Sequence, residues 1–244
     1  MSKLTGQTAL VTGGGSGIGL AVARLLLAEG ARVAITGRSE DKLRTAATSL
    51  KAGDRLIWHA ADVSMPEPVE ALVKDVTTRL GRIDILINNA GANIKERTFR
   101  ELTPETWKYL VGANLDGAFY CMAAVLPQML KRQDGLIINI NSISGKRAGP
   151  LGGAAYAAAK FGLRGLTMAV AAEEKSSGVR VTSIYPGEVD TPILEHRPSP
   201  VTDDHRKSIL QPEDVAAAVV FIATLPARAW IPELVIAPTK QQYV

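Results

Sequence analysis

Short apolar runs alternate with longer amphipathic stretches along this 244-residue chain. "QTALVTG" (7–13) precedes "GIGLAVARLLLAEG", "ARVAITG" (31–37) precedes "SEDKLRTAATSLK", and "RLIWHAAD" (55–62) precedes "PEPVEALVKDVTTRLG". "RIDILINNAG" (82–91) leads into a long helical stretch opened by Thr103-Pro104-Glu105, a cap followed by proline at the first helical position. "GLIININS" (135–142), "VRVTSIYPG" (179–187) and "ELVIAP" (233–238) complete seven apolar runs, with a helix predicted over about 212–225. Seven buried strands joined by helical crossovers predict an α/β fold: a doubly wound parallel sheet of seven strands with helices on both faces. No repeat, linker or low-complexity segment divides the chain, so residues 1–244 are expected to form one domain. The least patterned stretch, 188–211, is rich in Pro, His and charge and is expected to be a lid over a site or else a surface loop.

Composition narrows the class. The formal charge of +4 and pI of about 9.2 come from scattered basic residues with no basic run, which gives no ground for a nucleic-acid or membrane partner. Cys121 is the single cysteine, so no intrachain disulfide can form and a reducing, cytoplasmic setting is expected. "TALVTGGG" is short and ends in glycines, as a buried strand does and a leader does not. No metal site is expected.

Two stretches carry candidate chemistry. "TGGGSGIG" (12–19) leaves the first strand and opens the first helix. Gly13 permits a tight turn, Gly17 lets backbone N–H groups approach a pyrophosphate, and Gly19 allows close packing of helix on strand. The helix N-terminus adds a partial positive charge, and together these predict a dinucleotide site at Gly13, Ser16, Gly17, Ile18 and Gly19. In "AAYAAAKFGL" (154–163), Tyr156 and Lys160 are four residues apart and share one helix face among alanines. A phenol with an ordinary pKa of about 10 is a poor base at neutral pH. An ammonium about 4 Å away at an effective dielectric near 20 supplies roughly 4 kcal/mol toward the phenolate, a ceiling of about three pK units before desolvation opposes it.

"TGGGSGIG", "NNAG" (88–91), Ser142, "YAAAK" (156–160) and "PG" (186–187) occur together in this order, over nearly the whole chain. In this the sequence resembles the short-chain dehydrogenase/reductase family in its compact single-domain, Rossmann-like form. The resemblance implies an oxidoreductase that interconverts a carbonyl and an alcohol by hydride transfer. Tyr156 would be its acid/base, with Lys160 tuning the phenol and binding the nicotinamide ribose. Ser142 would hold the substrate oxygen, with Ser144, two residues on, as a competing candidate and a plain strand-exit cap as the bland reading of Ser142. Asn114 matches the family asparagine that shapes the active-site helix and anchors a relay water; an asparagine bonding local backbone is the alternative. Asn89, Ala90 and Gly91 would border the adenosine, Asp62 and Val63 the adenine, and Pro186, Gly187, Val189 and Thr191 the nicotinamide. Capping is the other reading of Asp62. The resemblance also implies a small-molecule substrate and a homo-oligomer, dimer or tetramer.

Cofactor choice turns on the end of the second strand. An acid there would bind the ribose 2′-hydroxyl. The place eighteen residues after Gly19 is Gly37, and Arg38 follows. An arginine fork pairs with a 2′-phosphate, which favours NADP(H), with NAD(H) as the alternative. Two features depart from many family members: Ser16 stands where some carry a basic residue, and the chain ends "IPELVIAPTKQQYV" in place of a Val-Asp-Gly-Gly-like stretch. That ending resembles a subgroup of carbonyl and hydroxy-acid reductases. A non-catalytic dinucleotide sensor on the same fold is the competing function, and the joint presence of Asn114, Ser142, Tyr156 and Lys160 argues against it. A lyase or epimerase on this scaffold is a third option.

Overall fold

The computed structural model describes residues 2–240. In chain order it contains β1 (Thr8–Thr12), α1 (Gly17–Ala28), β2 (Arg32–Gly37), α2 (Glu40–Leu50), β3 (Leu56–Ala60), α3 (Pro66–Leu80) and β4 (Ile85–Asn88). There follow α4 (Pro104–Val111), α5 (Gly117–Arg132), β5 (Gly135–Ile140), α6 (Ala154–Glu173) and β6 (Val179–Pro186). Last come α7 (Asp203–Ser208), α8 (Pro212–Ala223) and β7 (Glu233–Ile236). All seven strands are parallel, in the order β3-β2-β1-β4-β5-β6-β7. This is the doubly wound fold that the pattern predicts.

β1, β4 and β5 are buried at every position, which is why their sequences read as unbroken apolar runs. One face packs Leu26 of α1, Leu43 of α2 and Val215 and Val219 of α8 against Val11 and Ile35 of the sheet. The other packs Leu72 and Val76 of α3 and Met122, Val125 and Met129 of α5 against Leu10, Leu86 and Ile137.

β4 ends at Asn88, short of the 82–91 run, for a local reason. The N–H groups of Asn89 and Ala90 both donate to the Thr12 hydroxyl, each at 2.9 Å, and so leave the ladder. Thr103 caps α4 as expected: its hydroxyl accepts from the Thr106 N–H at 3.2 Å while the Thr106 hydroxyl accepts from the Thr103 N–H at 2.9 Å. α4 and α5 form one stretch, Pro104–Arg132, joined by a π turn at Gly112–Asp116. By length and composition this stretch would reach across a membrane; here Leu110, Met122, Val125 and Met129 bury its apolar side in the protein.

The 188–211 stretch is more ordered than its sequence suggests. A 3₁₀ turn (Pro192–His196) and α7 lie within it, and Val189 pairs with Leu210 so that its two ends meet. Glu188 holds Arg197 at 3.2 Å and His205 at 2.5 Å, and Arg206 pairs with Asp190.

Candidate active site

The strand order reverses between β1 and β4, where the chain winds first one way and then the other. A cleft of about 590 Å³ opens outside the carboxyl ends of these strands, where open α/β sheets bind ligands. Its wall runs from the glycine turn through Asn89–Arg97, Ser142 and Ser144 to Tyr156, Lys160 and the 186–197 segment.

At one end, Gly13 turns the chain at φ +66°, and a Cβ there would stand 2.8 Å from Asn89 Nδ2. A Cβ on Gly19 would lie 2.3 Å from the Gly13 carbonyl oxygen, so only glycine lets α1 pack this close to β1. Ser16 makes no side-chain cap bond to α1, and the first turn of α1 holds no acidic residue. The free first-turn N–H groups and the helix dipole thus suit an anion. Ser16, Gly17 and Ile18 face the cleft.

Arg38 also lines this end, its Nη2 donating to the Tyr109 hydroxyl at 3.3 Å and its guanidinium 5.6 Å from the Tyr109 ring centre. Tyr109, through its bond and then its charge, and last the charge of Asp62 hold Arg38 above its ordinary pKa against partial burial. Lys42 lies on the same wall. Two cations, an aromatic ring and an uncapped helix end in one cleft fit a dinucleotide that carries a 2′-phosphate. Asp62 and Val63 stand off the cleft wall: Asp62 Oδ1 accepts from the Ser64 N–H (3.0 Å) and hydroxyl (2.7 Å), and Val63 is buried against Gly117. These bonds turn the loop at Ser64 and do not cap α3, whose N-cap is Met65, so the capping reading of Asp62 fails; its charge reaches Arg38.

At the other end, Asn141 follows β5 and anchors the turn. Its side chain donates to the Lys160 carbonyl at 3.2 Å and accepts from the Ser142 N–H at 2.9 Å. Ser142 Oγ accepts from the Ser144 N–H at 3.1 Å, and both serines face the cleft. Tyr156 is half-buried on α6. Burial pushes its phenol up, and Ser142 and then the Arg97 guanidinium act the opposite way, toward the phenolate. Ser142 is therefore the serine coupled to the phenol.

Lys160 is 4% exposed, its Nζ donating to the Ile140 carbonyl at 3.0 Å and lying 5.6 Å from the Tyr156 ring centre. Burial pushes its pKa down to about 8. The cation whose charge acts on the phenol in this arrangement is Arg97.

Asn114 sits in the π turn and ties it to the loop after β4. Its Nδ2 donates to the carbonyls of Leu110 (2.8 Å) and Ala92 (2.9 Å), and its Oδ1 accepts from the Ala92 N–H at 3.2 Å. A Cβ on Gly91 would lie 2.8 Å from that Oδ1, which explains the glycine. Ala90, Gly91, Pro186, Gly187, Val189 and Thr191 all border the cleft.

The residues that sequence reasoning missed are Lys42, Tyr109, Asn93 and Arg97. Lys42 is four residues past Arg38 in a first helical turn, a spacing that could have been noticed. Arg97 lies in the charged run "IKERTFRE", which looks like any solvated loop.

Fold and site together define a dinucleotide-binding α/β protein whose cleft brings a serine, a tyrosine and a lysine together at one end. Residues 7–201 match the family model for short chain dehydrogenase, and the chain belongs to that family. An uncharacterized oxidoreductase of Staphylococcus aureus is 37% identical over 239 residues, 98% of this chain and all of that protein. A metagenomic short-chain oxidoreductase solved in complex with NADP superposes with a TM-score of 0.84 at 36% identity, covering 98% of this chain and 100% of that one. The closed form of a serine dehydrogenase complexed with NADP+ gives a TM-score of 0.89 at 32% identity, covering 97% of each chain. NADP(H) is the cofactor these relationships and the Arg38 end of the cleft favour.

Proposed function

We propose that this protein is an NADP(H)-dependent oxidoreductase that interconverts a carbonyl and an alcohol, with Tyr156 as acid/base. The carrying observation is that Ser142, Tyr156 and Lys160 meet at one end of the cleft whose other end holds the glycine turn and Arg38. Bound there, the nicotinamide supplies a hydride in one direction and accepts it in the other.

In reduction, Ser142 Oγ and Tyr156 Oη donate to the substrate oxygen, and Tyr156 passes its proton to the alkoxide as it forms. In oxidation, the phenolate takes the hydroxyl proton. Ser142 and Arg97 both favour that phenolate. Lys160, with its pKa about 8, is mostly charged at neutral pH and lies against the ring. Asn114 holds the loop after β4 in register with the helix beneath it.

The 188–211 stretch acts as the lid of this single domain. Its clasped ends and cleft-facing Ile193 support the reading. The protein works in the cytoplasm as a homo-oligomer, which the exposed Phe119 (48%), Phe161 (42%) and Met168 (54%) on α5 and α6 support.

The test is Tyr156→Phe, which keeps the ring and removes the proton donor. We expect intact cofactor binding, measured by nicotinamide fluorescence, with turnover of aldehyde and ketone substrates reduced by about 10²-fold or more. Near-normal kcat would overturn the assignment.

A further inference from the structure

Arg97 is 5% exposed, and all three of its guanidinium nitrogens are engaged. Nε donates to the Ile94 carbonyl at 2.6 Å, Nη1 to the Leu151 carbonyl at 2.9 Å, and Nη2 to the His196 carbonyl. Those oxygens come from three segments: the loop after β4, the loop before α6, and the lid. They satisfy three of the five N–H donors a guanidinium carries and none of its charge. Among the described residues Arg97 makes no ion pair. The charged or titratable groups that act on it are Arg197, which repels it, and Tyr156. Arg197 itself is paired with Glu188, and Glu195 is exposed on the lid.

A buried cation without a counter-ion is costly, and buried charges are ordinarily paired. The place of this cation in the molecule is definite. Arg97 lines the cleft beside Tyr156. A Cβ on Gly153, the residue capping α6, would stand 2.8 Å from Arg97 Cβ. A Cβ on Gly152 would stand 3.5 Å from Tyr156 Cδ1 and 2.9 Å from Ser144 Oγ. Two adjacent glycines thus bring the arginine, the phenol and the serine turn to the same end of the cleft.

We propose that Arg97 is the receptor for an anionic group on the substrate, so that this site takes short hydroxy and oxo acids. The inference rests on the carbonyl–alcohol reading for the reacting end and adds the carboxylate end. The carboxylate accepts from the remaining Nη1 and Nη2 hydrogens. Because the third carbonyl on this guanidinium belongs to the lid, the same residue joins substrate recognition to the closed lid.

The test has a binding arm and a turnover arm. In calorimetry on the NADP+-loaded protein, butanoate is expected to bind at least about tenfold more tightly than its neutral isostere butanamide. This comparison needs no variant. Arg97→Met should abolish the difference; circular dichroism and NADP+ affinity check that it folds. In turnover, 2- and 3-hydroxybutanoate are compared with their methyl esters. The acid's kcat/KM should fall about ten- to a hundredfold more than the ester's in Arg97→Met, through KM. Arg97→Lys, which keeps charge but not the fork, should recover part of the acid preference.

Equal binding of butanoate and butanamide to the parent would overturn the receptor, as would equal losses on acid and ester, which would leave Arg97 a lid tether. Turnover of the esters without butanoate selectivity refutes the receptor and leaves the carbonyl–alcohol reading standing. Butanoate selectivity that depends on Arg97, without turnover of any alcohol, supports the receptor and refutes that reading.

Discussion

Arg38 shows how far one side chain reads from sequence. Its place after the second strand announces a cation for a 2′-phosphate, and it stands at the cleft as expected. The sequence does not announce that Tyr109, seventy-one positions on, would hold it, or that Lys42 would stand on the same wall. Those meetings are made by α2 and α4, elements whose apolar periodicity fixes their existence and not their neighbours. The consequence is measurable. Arg38→Ala should lower the preference for NADPH over NADH about tenfold in KM, the modest figure reflecting an exposed, solvent-screened contact with Lys42 still in place. Raising salt should erode the preference of the parent more than that of the variant. Equal KM values for the two cofactors in the parent would refute the role. The glycine turn and the Tyr156–Lys160 pair were legible because local geometry dictates them, and Ser142 only through the family resemblance. Arg97 was not, because its meaning lies in carbonyls from three segments, two of them 54 and 99 positions away.

Among elements, strands and capped helices were readable, while breaks and boundaries were not. The apolar pattern runs unbroken through 104–132, yet the helix widens at Gly112–Asp116, where Asn114 bonds both its own helix and Ala92. The short β4 likewise follows from Thr12 capturing two N–H groups of the next loop. The 188–211 segment looked merely irregular because its clasp is made of ion pairs and one bridge, none with a period. A clasp of a few ion pairs and one bridge opens more easily than packed core. Amides of 192–210 are therefore expected to exchange more slowly in the ternary complex with NADP+ and an alcohol substrate than in the free protein. Equal protection in the two states, by hydrogen exchange with mass spectrometry, would remove the lid.

For the whole molecule, the parallel seven-stranded sheet was legible because both its faces are buried, and burial writes itself into sequence as uninterrupted apolar runs. Stability of the whole chain should also carry the mark of Lys160. Its pKa in the folded protein is about 8, below the ordinary lysine value of 10.5. Between these values the unfolded chain binds more protons than the folded one, so stability rises with pH there, by up to about 3 kcal/mol. Tyr156 and Tyr185 are held above their ordinary values and work in the opposite direction above pH 10. Urea midpoints of the cofactor-free protein should therefore climb from pH 7.5 to 9.5, and Lys160→Met should flatten that climb. An identical slope in parent and variant would show that Lys160 is not its source.

The cleft lies where β1 pairs with β4, and its wall draws on residues from Gly13 to Arg197. Each half of the winding therefore supplies one side of it. A dinucleotide seated there is in effect a reversible cross-link between two halves of one polypeptide. By mass action it shifts the folding balance by about 2.7 kcal/mol when present at a hundred times its Kd. The supply of reduced and oxidised dinucleotide then governs how long each copy of the chain survives proteolysis as well as how fast it works, so that a cell starved of the nucleotide would lose the protein along with its activity.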